Sequence, residues 1–194
     1  MMKWLINNWY KATPFLGLYT VLFTAAFVLP NDFALFLIWL QTAVYFFHQF
    51  EEYVLPGGFV AFFNFKTLGS NKPDQPLNTV ASFWINVPII FIAFPLSAYF
   101  SGAIAISIGV WTAYFSVINA LSHVGMAFKF GYNPGLIVSM FLNIPIGVYA
   151  IYYLSSNKLI NTEQNLIGLA VGLAVQLSLM IYGFLVLKPK INKD

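Results

Sequence analysis

Residues 32–55 read DFALFLIWLQTAVYFFHQFEEYVL. A helix needs roughly 20 apolar residues to cross a bilayer core about 30 Å thick, and this stretch is long enough. A soluble amphipathic helix carries a polar face along its whole length. Here the polar groups gather near one end instead, at His48, Gln49, Glu51 and Glu52. The stretch therefore reads as a transmembrane helix that finishes on ionisable groups.

Composition extends that reading to the whole chain. Of 194 residues, 60% are hydrophobic and 8% charged, against about 45–50% and 25% in soluble proteins. The mean hydropathy is +0.78. So few charges cannot cover so much apolar surface in water, which excludes a secreted globular protein and a disordered chain. A nucleic-acid module is excluded too, because the nine basic residues are all Lys, scattered singly without a basic patch. Cysteine is absent, so any metal site must draw on His, carboxylate, amide, backbone or water oxygen.

The same ruler predicts an all-α bundle of six spans in one transmembrane domain, residues 1–194. The spans run at about 14–30, 32–55, 79–99, 103–128, 134–154 and 166–187. Pro88, Pro95 and Pro145 fall inside spans and are expected to kink them. Trp4, Trp9 and Tyr10, with Lys3 and Lys11, read as an interfacial anchor rather than a cleaved leader. The aromatic stretch Phe59 to Phe65 reads as interfacial, and 66–78 as a polar linker. Eight lysines then share a face with both termini and only Lys158 lies opposite. By the positive-inside rule the termini and the linker are cytoplasmic and the protein is a multi-pass inner-membrane protein. No internal repeat is visible, which weighs against an inverted-repeat transporter.

Asp32, Asp74, Glu163 and Asp194 fall in loops or at ends. Glu51 and Glu52 do not, and ionisable groups within a span are functional candidates. At 100° per residue they flank His48 at about −60° and +40°, with Tyr45 and Gln41 on the Glu52 side of that stripe. The other histidine, His123, ends a stripe of Thr112, Ser116 and Asn119 near the cytoplasmic end of the fourth span. Spans two and four run in the same direction, so the two histidines share a depth. Asn86, with Ser82 and Thr79, and Asn143, with Ser139, come to that depth from spans three and five. Two imidazoles at one ion require ring nitrogens within roughly 4–5 Å of each other, and that approach is the expectation here.

The combination His48-x-x-Glu51-Glu52 with a following Tyr53, Pro56-Gly57-Gly58, Asn119-x-x-x-His123 and Tyr132-Asn133-Pro134-Gly135 resembles the HXXEE-domain family of small bacterial membrane proteins. The resemblance covers most of the chain and implies a membrane enzyme with these residues at its site.

Three functions fit the residues. A metalloenzyme would bind zinc, or iron as second choice, through His48, His123 and one Glu, the other Glu acting as general base. The stripe geometry assigns Glu52 to the metal and Glu51 to catalysis, with Asn119, Tyr45 and Asn86 beside them. A metal-free enzyme would use the same groups for proton transfer, as in lipid double-bond isomerisation. A proton- or metal-coupled transporter would need a through-path of ionisable groups, and none is visible. In each enzyme reading the partners are the bilayer and a lipidic or small apolar substrate. The plain structural alternative pairs Glu51 or Glu52 with Lys129 or Lys66 and leaves His and Asn as interhelical glue. Gln176 reads as structural, and Gly168-x-x-x-Gly172 as a close-packing face with a homodimer as its second use.

Overall fold

The computed structural model describes residues 1–193, so Asp194 lies outside it. Eight helices follow one another: α1 Met2–Asn8, α2 Thr13–Phe27, α3 Phe33–Tyr53, α4 Phe59–Leu68, α5 Thr79–Ala103, α6 Val110–Phe130, α7 Leu136–Ser156 and α8 Thr162–Ile191. Among the described residues there is no strand. Starts are marked by side chains that accept from exposed first-turn amides. Asp32 accepts from Leu35 N, and Asn78 from Ala81 N. Asn161 and Gln164 form a reciprocal capping box, which begins α8 four residues before the expected span.

Four helices, α3, α5, α7 and α8, are long and apolar enough to cross a membrane. The other two of the six expected spans, α2 and α6, fall short of that measure of length and hydropathy. Helix α2, with 15 residues, spans only about 22 Å at 1.5 Å per residue. Helix α6 is long, but Thr112, Ser116 and His123 lower its hydropathy; it tolerates them because they are buried against other helices. The expected start of the fourth span at Ala103 is corrected. Helix α5 runs through Ala103, a short 3-10 turn occupies Ile106–Gly109, and α6 begins at Val110.

Packing pairs give the topology. Ile38 packs with Val110, Tyr45 with Phe115 and His48 with His123, so α3 and α6 run parallel side by side. Helix α7 runs against them, bringing Ala150 to Leu37 and Ser139 to His48. Helix α5 also runs antiparallel to α3, setting Ala98 by Ile38, Phe94 by Tyr45 and Asn86 by Gln49. Helix α8 lies along α6, where a Cβ at Gly168 would stand 2.8 Å from Val110 and one at Gly172 2.9 Å from Phe115 N. These glycines are buried inside the chain. They form the close-packing face expected of them, as an internal helix–helix contact.

Wider π-helical turns interrupt four elements, at Phe63–Leu68, Val87–Ala93, Ser139–Asn143 and Tyr182–Leu187. Two lie at the prolines: Pro88 sits in one, with Pro95 just beyond it, and Pro145 follows another. Proline removes one helix hydrogen bond and crowds the preceding turn. Trp9 is not an exposed anchor: it is buried, with its ring 5.0 Å from Tyr53. Helix α4 is tied down by buried Asn64, which donates to the carbonyls of Pro73 (2.9 Å) and Leu77 (2.8 Å) and accepts from Leu77 N (2.9 Å). That clamp folds the polar linker back beneath the bundle.

Candidate metal centre and its cavity

His48 and Glu52 lie four residues apart on the last turns of α3, and so on one face. The Glu52 Oε1 atom is 3.5 Å from His48 Nε2 and 3.5 Å from His123 Nε2. One ligand atom from each of the three residues lies within 4.8 Å of the others, and all three residues are buried. The imidazole centroids are 4.8 Å apart with planes at 83°. The expected approach of the two histidines and one glutamate is therefore present. Two edges of 3.5 Å are close to the ligand–ligand spacing of about 3.4 Å in a tetrahedral site with bonds of roughly 2.0–2.1 Å.

Orientation of the rings comes from the turn before α7. Asn133, fully buried, donates from Nδ2 to the His123 carbonyl at 3.0 Å and presents Oδ1 to His123 Nδ1 at 2.7 Å. The amide is thereby fixed, so Nδ1 carries the proton and the Nε2 lone pair faces Glu52. His48 Nδ1 lies 3.4 Å from the Ser139 hydroxyl, which likewise leaves Nε2 toward Glu52. Ligating histidines are commonly held in this way through their other nitrogen. Gly135 (φ +98°) closes the cradle: a Cβ there would stand 2.8 Å from His123 Cε1 and 2.9 Å from His48 Cε1. Only glycine suits that backbone and that approach.

Glu51 is equally buried but turns elsewhere. Its Oε1 accepts from Tyr132 Oη (2.9 Å) and Ile137 N (3.1 Å), and its Oε2 from Val138 N (2.7 Å). The carboxylate thus satisfies the first amides of α7, which have no helical partner of their own. Tyr132 responds: partial desolvation of the half-exposed phenol and its bond to Glu51 push it up to about 12. The two glutamates find these partners rather than Lys129 or Lys66.

The remaining candidates line a mostly apolar cavity of about 410 Å³ that His48, Glu52 and His123 open onto. Tyr45 is buried beside His48, ring centroids 5.3 Å apart, and its hydroxyl has no partner. Asn119 donates to Gln176 at 3.1 Å, which gives Gln176 the structural contact expected of it. Asn86 accepts from Gln49 (2.6 Å) and donates to Tyr53 Oη (3.0 Å) and Ser82 O (2.8 Å), so its carboxamide is fully engaged. Asn143 meets Ser116 at 3.2 Å. Residue-by-residue reading gave no role to Asn133, Gly135 or Tyr132; their only signal was the Tyr-Asn-Pro-Gly run.

A helical bundle with a buried His–Glu–His group over an apolar cavity defines a class of candidate metal-binding proteins with helices fit for a membrane. The model of a family described as proteins of unknown function with an HXXEE motif matches residues 39–150, and the chain belongs to that family. No curated protein and no solved structure matches the chain.

Proposed function

We propose that the protein is an integral inner-membrane enzyme, dependent on a divalent metal, that acts on a lipidic or small apolar substrate. Both termini lie on the cytoplasmic side, where eight lysines gather. The observation that carries the proposal is the pair of imidazole Nε2 atoms, each 3.5 Å from one Glu52 oxygen, at the wall of a mostly apolar cavity.

His48, His123 and Glu52 would hold the metal, and their donor set suits zinc first and iron second. A bound ion would supply Lewis acidity toward a substrate oxygen or activate water. The chain does the rest. Asn133 holds His123 as the Nδ1–H tautomer, so no ring rearrangement precedes binding. Glu52 brings one negative charge to offset the cation in a buried site. Tyr45, with its unpartnered hydroxyl on the cavity wall, is the group assigned to exchange a proton with substrate. Asn119, braced by Gln176, orients it. Glu51 and Asn86, whose polar atoms are engaged, are assigned to holding the site together rather than to catalysis.

Elemental analysis of detergent-purified protein should find about one zinc or iron per chain. His48→Ala, His123→Ala and Glu52→Gln should each lose it. A wild type free of metal, with a melting temperature unmoved by zinc, iron or manganese, overturns the reading in favour of metal-free proton transfer. Orientation is tested by single cysteines, since the chain has none. A cysteine at Asn157 should react with an impermeant external reagent and one at Asn71 should not.

A further inference from the structure

The cavity has a shape as well as a lining. Its residues on α6 run from Phe115 to Phe130, fifteen steps and about 22 Å at 1.5 Å per residue. A volume of about 410 Å³ is small for that length. A mostly apolar cavity of that length and volume suits one hydrocarbon chain lying lengthwise.

Its two ends differ. The deep end, between Phe115, Ile90 and Leu179, is apolar apart from Tyr45. The other end carries Thr67 and Lys129. Lys129 is the only lysine on the cavity wall among the described residues, and its ammonium group rests over the Phe130 ring at 5.0 Å. The histidine–glutamate group lies between: His123 is six residues from Lys129, about 9 Å, and eight from Phe115, about 12 Å. The one acidic residue among the described wall residues, Glu52, belongs to that group.

Building on the enzyme reading above, we infer that the occupant is a single-chain amphiphile with an anionic head, such as a fatty acid, lying lengthwise. Its head sits at Lys129, its chain passes the three ligands, and its tail ends near Phe115. The position presented to His48, Glu52 and His123 is then about 9 Å along the chain from the head. A head bound directly at the histidines leaves Lys129 unused.

The test is equilibrium binding of radiolabelled palmitate and hexadecanol to the full chain in nanodiscs, before and after chelation. Palmitate should bind saturably at one per chain. Lys129→Gln should weaken palmitate at least tenfold and leave hexadecanol within twofold. Leu179→Trp, which shortens the deep end, should shift the preferred chain to fewer carbons. Chelation should change palmitate affinity by less than twofold. A loss on chelation puts the head at the histidines and overturns the orientation, and equal loss of both probes in Lys129→Gln overturns the anionic head. A wild type that holds no metal but still binds palmitate in this pattern defeats the enzyme reading alone and leaves this inference standing.

Discussion

The histidine–glutamate group has two flanks, and they are built in opposite ways. On the α7 flank every turn of chain is committed: Asn133 to His123, Gly135 against both rings, Ser139 beside His48, and the α7 amides on Glu51. On the α8 flank the wall is mostly apolar, and a buried hydroxyl, Tyr45, stands without a partner. The first flank falls inside the region matched by the family model, residues 39–150, while α8 lies outside it. The difference separates two tasks. One flank holds ligands in place, and the other leaves room for what they act on.

The harshest way to break the holding flank is to fill the space at Gly135. Gly135→Ala adds a Cβ within about 3 Å of both imidazoles and strains a left-handed backbone besides. Bound metal should fall at least tenfold by elemental analysis. Full retention would mean that the rings do not need this contact.

Glu51→Gln sharpens the contrast between adjacent glutamates. The variant leaves two backbone amides and a phenol facing a neutral amide, a loss of about 1–3 kcal/mol for a disrupted buried hydrogen-bond partner. Its melting temperature should drop by several degrees while metal content stays near wild type. Unchanged stability with lost metal would return Glu51 to the ligand set.

Much of this was legible beforehand, for physical reasons. Long apolar windows mark α3, α5, α7 and α8 whatever their neighbours. The 100° spacing put Glu52, rather than Glu51, on the Tyr45 side of the His48 stripe, and parallel spans predicted the meeting of His48 with His123. Other features depend on tertiary contacts that carry no local mark. The apolar run from Ala103 to Val110 has no strong turn signal, so the end of α5 stayed hidden. The Glu51 partners Ile137 and Val138 contribute backbone amides, which any residue but proline could supply. Trp9 looked interfacial by type, yet its burial depends on Tyr53 and Phe91 meeting it.

The smallest effect lies at the edge of the holding flank. Tyr132→Phe removes a single hydrogen bond to Glu51 while both α7 amides remain, so it should lower stability by about 0.5–1.5 kcal/mol. Its pH dependence carries the information. The phenol is pushed from its ordinary value near 10 up to about 12 in the folded protein, by partial desolvation and then by the Glu51 carboxylate. A group with a raised folded pKa contributes its stability below the unfolded value and loses it as pH rises through the folded one. The gap in melting temperature between wild type and Tyr132→Phe should therefore stay constant from pH 8 to about 9.5. It should narrow as the medium is taken toward pH 12, because only the wild type releases this proton on unfolding. A gap that stays constant all the way to pH 12 would mean that the folded phenol is not shifted, that Tyr132 does not donate to Glu51, and that the two amides of α7 hold that carboxylate alone.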